Sequence, residues 1–279
     1  MHCISEGHIE LIKKWRIEDK LFYDETRGFK AVLNMVKSKT YMTIIGGSGS
    51  GKTATAHHIA LQLEEQGWEV VPVCRLEEII QYGDSDHKQV FVLDDVLGTF
   101  AVDMNICNHI INHKEQILKS IGETSNLLFT CRKSVYQEAF KLELFVTENI
   151  VDLQSKYNRL IETEKMAICQ SHCKSKGVNS DLYVSLSFTK ANHMFPFLCK
   201  LFSMEEQYQR LGESFFNKPF DCFIKELDKL QLKYTIQYAV LVLCLVNDRK
   251  LSVECLPSEY VQKDVFNNCG IYLDTPKKK

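Results

Sequence analysis

Tyr41-Met42-Thr43-Ile44-Ile45-Gly46-Gly47-Ser48-Gly49-Ser50-Gly51-Lys52-Thr53 decides the fold. An apolar run, Tyr41 to Ile45, enters a glycine-rich turn, and beyond it Ala56, Ile59, Ala60 and Leu63 recur at helical spacing as far as Gly67. The segment Gly46 to Thr53 satisfies G-x-x-x-x-G-K-[ST] with a strand before it and a helix after it, the context this pattern needs. Glycines let the loop curl so that successive backbone N–H groups point inward at phosphates. The helix beyond adds its positive N-terminal end, reached through Ala54. Lys52 is placed to reach the β and γ phosphates, and the Thr53 hydroxyl to help hold Mg2+.

Two further strand ends carry matching chemistry. Val90-Phe91-Val92-Leu93 runs into Asp94-Asp95, as expected of a buried parallel strand delivering carboxylates at its C-terminal edge. Asp94 is the expected magnesium carboxylate. Asp95 is placed to orient or deprotonate an attacking water, provided the backbone turns, because consecutive strand residues face opposite sides. Asn126-Leu127-Leu128-Phe129-Thr130-Cys131-Arg132 ends in a hydroxyl and a guanidinium. Thr130 can bond a γ-phosphate or the attacking water, and Arg132 can sense a third phosphate that ADP lacks.

Outward from these motifs, Glu69 to Cys74 and Asn149 to Leu153 also read as strands, five in all between Tyr41 and Leu153, with helical crossovers between them. Thr26 is the expected N-cap of a helix whose Phe29, Val32, Leu33 and Val36 share one face. Beyond Ser155 the pattern turns helical: Met166, Cys169 and Cys173 line a helix ended by Gly177, and another opens at Pro196. Leu182 to Phe188 alternates like a strand among helical neighbours and is left unassigned. The last zone carries Phe223, Ile224, Leu227 and Leu230 on one helical face, then an all-round apolar helix over Ile236 to Val246, expected to be buried. The expected division is a leader over 1–20, a core over 21–154, a helical lid over 155–218 and a last region over 219–279.

Taken in order, Phe22-Tyr23-Asp24-Glu25-Thr26-Arg27, the glycine-rich loop, Leu93-Asp94-Asp95, Phe129-Thr130-Cys131-Arg132 and Met194-Phe195-Pro196 resemble the STAND class of P-loop ATPases, and within it the group called novel STAND NTPase 3. That class comprises signal-transducing switches, among them plant resistance proteins and animal apoptosome and inflammasome subunits. The resemblance, expected over nearly the whole chain, implies an α/β P-loop NTPase with a mostly parallel five-stranded sheet whose sensor strand lies between the two Walker strands. A helical lid and a winged-helix-like region follow in the family. It implies ATP, ADP and Mg2+ as ligands, and a base-contacting role for Arg27 and Pro196. Met194 stands where the family often has Gly before Phe-Pro. On the residues alone, Pro196 is a good first residue of a helix and Arg27 an exposed helix charge.

Composition narrows the partners. A formal charge of -2 over 279 residues gives no global attraction for nucleic acid. Eleven cysteines lie scattered without a C-x-x-C pair, which fits reduced thiols in a cytoplasmic protein. The N-terminus carries charges in place of a signal peptide, and Tyr238 to Val246 is too short to span a bilayer. Cys107, His109 and His113, and likewise Cys169, His172 and Cys173, lack a partner pair at zinc-finger spacing and read as helix positions. Lys277 to Lys279 reads as a solvated tail. The expectation is an ATPase of low turnover acting as a signalling or innate-defence switch, with self-association or regulatory proteins as partners. The rivals are a nucleotide-binding scaffold without turnover and a small-molecule kinase. Seven unclustered arginines count against the kinase.

Overall fold

The computed structural model describes residues 5–22, 25–122, 124–191, 193–246 and 259–269. Two compact units divide the chain, Met1–Asn217 and Lys218–Lys279. The first contains α1 (Glu6–Phe22), α2 (Arg27–Val36), β1 (Tyr41–Gly46), α3 (Lys52–Glu65), β2 (Glu69–Pro72), α4 (Leu76–Tyr82) and β3 (Gln89–Leu93). It continues through α5 (Met104–Ile121), β4 (Asn126–Arg132), α6 (Lys133–Ala139), β5 (Ile150–Asp152), α7 (Glu162–Ser175), α8 (Phe195–Met204), α9 (Glu206–Gln209) and α10 (Glu213–Asn217).

The five strands are parallel and lie in the order β2-β3-β4-β1-β5, so β4 sits between the strand that enters the glycine loop and the strand that ends in Asp94. Continuous apolar strands form here because both faces are covered. Ile45, Phe91, Leu93, Leu127, Phe129 and Cys131 bury themselves against α4, α5 and α6. Their neighbours along the chain, Met42, Ile44, Val90, Val92, Leu128 and Val151, face α1, α2 and α3. Truncating a buried ring such as Phe129→Ala removes contacts on which the first layer closes and costs about 3–5 kcal/mol.

Local signals account for several element ends. The Thr26 hydroxyl accepts from the Phe29 amide at 3.2 Å and caps α2. Gly67 and Gly177 follow α3 and α7 with positive φ, the turn that lets a helix end. Residues 182–188, left open above, form a 3-10 turn and loop, not a strand. The segment ahead of the core is a helix that buries Ile12 and Trp15. Tyr23 and Asp24 of the upstream motif lie outside the described residues.

The second unit contains α11 (Pro219–Lys233), α12 (Thr235–Val246) and α13 (Glu259–Asn268). Within it, α12 buries only Ala239 and Leu243, while Ile236, Leu245 and Val246 are exposed. The expectation that this apolar helix is buried all round is therefore corrected: α11 and α13 are its packing partners within the unit and cover one side of it. A wing, and the closing lysines, would fall in residues 247–258 and 270–279, outside the described residues.

Candidate nucleotide site

Strand register builds the centre of the site. Leu93 pairs with Phe129, so the next residues along, Asp94 and Thr130, meet; Gly46 pairs with Arg132, which brings the guanidinium level with the glycine loop. The Asp94 Oδ1 atom accepts from the Thr130 hydroxyl at 2.8 Å and from the Thr53 hydroxyl at 3.0 Å. Three elements, α3, β3 and β4, thus converge on one carboxylate oxygen. Asp94 is open to solvent on one side, yet the protein around it withdraws enough water to hold its carboxyl above the usual range, against the pull of the two hydroxyls and Lys52. A hard cation at the Thr53 and Asp94 oxygens would remove that penalty, so the donor set fits Mg2+.

The turn that Asp95 needs is present. Its φ is 47°, in the left-handed region, and its amide donates to Thr130 Oγ1 at 3.0 Å. Its carboxylate swings toward Arg132, whose Nε lies 3.8 Å from Asp95 Oδ2 and whose guanidinium rests 4.3 Å over the Phe100 ring. Burial raises the Asp95 carboxyl, with Arg132 and Lys52 opposing it. A carboxylate raised in this way is a stronger proton acceptor than an ordinary aspartate.

The glycine loop is held by the protein's own groups. Gly49 and Gly51 have φ of 67° and 94°. Lys52, buried, crosses the loop to donate to the Gly47 carbonyl at 3.0 Å, and burial lowers its pKa. The Ser50 hydroxyl is buried without a hydrogen-bond partner among the described residues, an unmet polar group that a phosphate oxygen would satisfy. The Gly47 amide donates to Gln154 Oε1 at 2.8 Å. Gln154 is itself anchored, its amide donating to Asp152 Oδ1 at 2.8 Å, while Asp152 Oδ2 receives Lys133 Nζ at 2.7 Å.

Beside the loop lies a cavity of about 400 Å³, within the range of small-ligand sites. Its walls include Trp15 from α1, Leu153, Leu160, Ile168 and His172 from α7, and Pro196, Phe197 and Lys200 from α8; residues Gly49 to Thr55 close its glycine-loop end. The start of α8 sits directly on the loop: a Cβ placed on Gly49 would stand 2.8 Å from Phe197 Cβ and 3.2 Å from Met194 Cβ. Met194, next to this contact, takes φ 52°, the left-handed conformation for which glycine is favoured. Burial lowers the pKa of both His57 and His172 to about 4.

The structure thus gathers Gly46, Gly47, Ser48, Gly49, Ser50, Gly51, Lys52, Thr53, Ala54, Asp94, Asp95, Thr130 and Arg132 around the loop, with Pro196 at the cavity. Arg27 is placed differently. Its guanidinium donates to the Arg159 carbonyl and lies 3.8 Å from Glu164, whose carboxylate also takes the Arg27 amide at 2.6 Å, while the neighbours Thr26 and Gly28 line the cavity. Sequence reasoning missed Trp15, His57, Gln154, Phe197 and Lys200. Only Gln154 carried a usable signal, since it follows a strand at the carboxyl edge of the sheet, where ligands bind.

The profile of the family Novel STAND NTPase 3 matches residues 23–175, which leaves Met194-Phe195-Pro196 beyond the matched span. No curated protein matches the chain by sequence. Among solved structures, a Walker-type ATPase of Pyrococcus abyssi is similar at 8% identity and a TM-score of 0.45, over 89% of this chain and 90% of its own. AMPPCP-bound DnaA from Aquifex aeolicus is similar at 12% identity and 0.39, over 85% and 72%. RuvB of Thermotoga maritima is similar at 13% and 0.38, over 96% of each. At these scores the likeness is remote.

Proposed function

This chain belongs to the novel STAND NTPase 3 family, and from that premise we propose that it is an ATP- and ADP-binding switch which hydrolyses the triphosphate slowly and acts in signal transduction or defence. The observation that carries the reading is the meeting of the Thr53 and Thr130 hydroxyls on Asp94 Oδ1, beside a loop with an unmet Ser50 hydroxyl. In this reading the loop amides from Ser48 to Ala54, with Lys52, bind the polyphosphate, while the Gly47 amide stays on Gln154. Thr53 and Asp94 would hold Mg2+, which neutralises charge on the β and γ phosphates.

Asp95 orients the attacking water and takes its proton; Thr130 holds Asp95 in its turned conformation through the amide, and Arg132 reads the third phosphate. The purine occupies the cavity against Pro196, and Arg27 shapes that wall through Thr26 and Gly28. A core over 21–154 and a lid over 155–218 then move against each other at the seam between Gly49 and α8, ADP favouring the closed arrangement and ATP altering the contacts at Arg132 and Pro196. The region over 219–279 is the winged-helix-like module of this scheme, and the setting is cytoplasmic.

Denaturing the purified protein and identifying released nucleotide by chromatography tests the reading, with Lys52→Ala as control. Bound ADP in the wild type and none in the variant is expected. If neither protein releases nucleotide or takes up added ATP, the switch is excluded and a scaffold without nucleotide function takes its place.

A further inference from the structure

Residues four apart on a helix share a face, and α3 turns both Thr53 and His57 toward the carboxylate at the end of β3. Thr53 Oγ1 reaches Asp94 Oδ1 at 3.0 Å, and His57 Nε2 stands 3.8 Å from Asp94 Oδ2. That second gap is too long for a hydrogen bond. It is shorter than about 4.2 Å, twice a metal–donor distance of about 2.1 Å and the widest separation at which two donors share one cation.

The imidazole is held in place from behind. Trp15 of α1 stacks on it with ring centroids 3.6 Å apart and planes 15° from parallel. Among the described residues no group hydrogen-bonds the ring, so the stack sets its plane and Nε2 keeps facing Asp94. His57 also lines the cavity together with Lys52 and Thr53.

We propose that His57 is a third side chain of the cation site, offering Nε2 beside Thr53 and Asp94, and that this nitrogen biases the site toward first-row transition cations over Mg2+. The inference rests on the nucleotide-binding reading and adds the identity of the cation to it. Magnesium takes oxygen donors and keeps several waters, so a site of a hydroxyl, a carboxylate and water serves it well. An imidazole nitrogen adds little for magnesium and much for cations along the Irving–Williams series, where nitrogen donors bind more firmly. Trp15 is then a positioning residue, and α1 contributes to metal choice through a ring that never touches the cation.

The test uses Mn2+, the weakest binder of that series and one visible by electron paramagnetic resonance. Full-length protein loaded with Mn2+ and ADP should show nitrogen modulation in the pulsed spectrum, shifting to the ¹⁵N pattern on histidine labelling and vanishing in His57→Gln. In competition, displacing Mn2+ from the wild type should take about tenfold more Mg2+ than from the variant. Wild-type protein that binds Mn2+ and ADP without nitrogen coupling would overturn the inference and leave nucleotide binding intact. Coupling that persists in His57→Gln would assign the nitrogen elsewhere and overturn it equally. Failure of the wild type to take up Mn2+ with ADP would overturn both readings.

Discussion

The two ends of the site, for which we propose phosphate and base as occupants, are built on different principles. At the phosphate end, Thr53, Asp94, Asp95, Thr130 and Arg132 are joined by fixed polar contacts between the start of α3 and the adjacent ends of β3 and β4. At the base end, Trp15, Leu153, Leu160, Ile168, Pro196 and Phe197 come from separate segments and enclose space with largely apolar side chains. The contrast teaches that charge handling requires particular atoms at particular places, whereas accommodating a flat base requires only a volume of suitable shape.

The largest expected effect separates the two ends. Asp95→Asn keeps the size and the backbone turn but removes the proton acceptor, so turnover should fall about a hundredfold or more while ATP affinity stays near the wild-type value. Single-turnover hydrolysis and calorimetry on the same sample decide it, and unchanged turnover would remove Asp95 from the chemistry. Gly49→Ala attacks the seam. A methyl there meets Phe197 and Met194 in a left-handed backbone position, and the combined strain should cost about 1–3 kcal/mol, seen as a lower thermal unfolding temperature together with weaker nucleotide binding. A variant that loses neither would show that Phe197 and Met194 do not press on the loop.

Phe197→Ala sharpens the contrast from the base side. ATP should bind about three- to tenfold more weakly, and inorganic triphosphate as well as before. Equal losses for both ligands would place Phe197 at the phosphate end. The smallest effect concerns acid. His57 and His172 are neutral in the folded chain down to about pH 4, whereas in the unfolded chain each takes a proton near 6.5. Between those values the unfolded state binds more protons, so their contribution to stability is complete above the window and is lost as pH falls through it. His172→Gln should ease that loss by about one proton, read as the difference in slope between denaturant midpoints of the two proteins across the window.

The same contrast explains what the amino-acid order reveals. Strands β1, β3 and β4 were legible because a buried parallel strand must be apolar on both faces, and the polar motif residues mark where each ends. Asp94 and Thr53 were readable for the same reason. Trp15 and Phe197 were not, because an aromatic residue on an amphipathic helix looks alike whether it faces a core or a cavity. The exposure of α12 escaped as well: Ile236 and Leu245 are apolar, but apolarity states what a helix would gain from cover and cannot state that its own unit supplies any. Met194 shows the opposite limit, since nothing in its chemistry announces a left-handed backbone.

The bond from the Gly47 amide to Gln154 has a consequence for affinity that lies in entropy. A free glycine-rich segment samples many conformations, and fixing each residue costs about 1–2 kcal/mol. Here the edge of β5, through Asp152 and Lys133, restrains the loop with the chain's own groups. That ordering is completed when the sheet folds, so a ligand arriving later meets a surface already arranged and loses less on binding. Each residue so restrained corresponds to roughly a tenfold difference in dissociation constant. If nucleotide binds at this loop as proposed, its affinity is partly a property of the sheet, and a mutation that loosens β5 would weaken the hold without touching any atom that contacts the ligand.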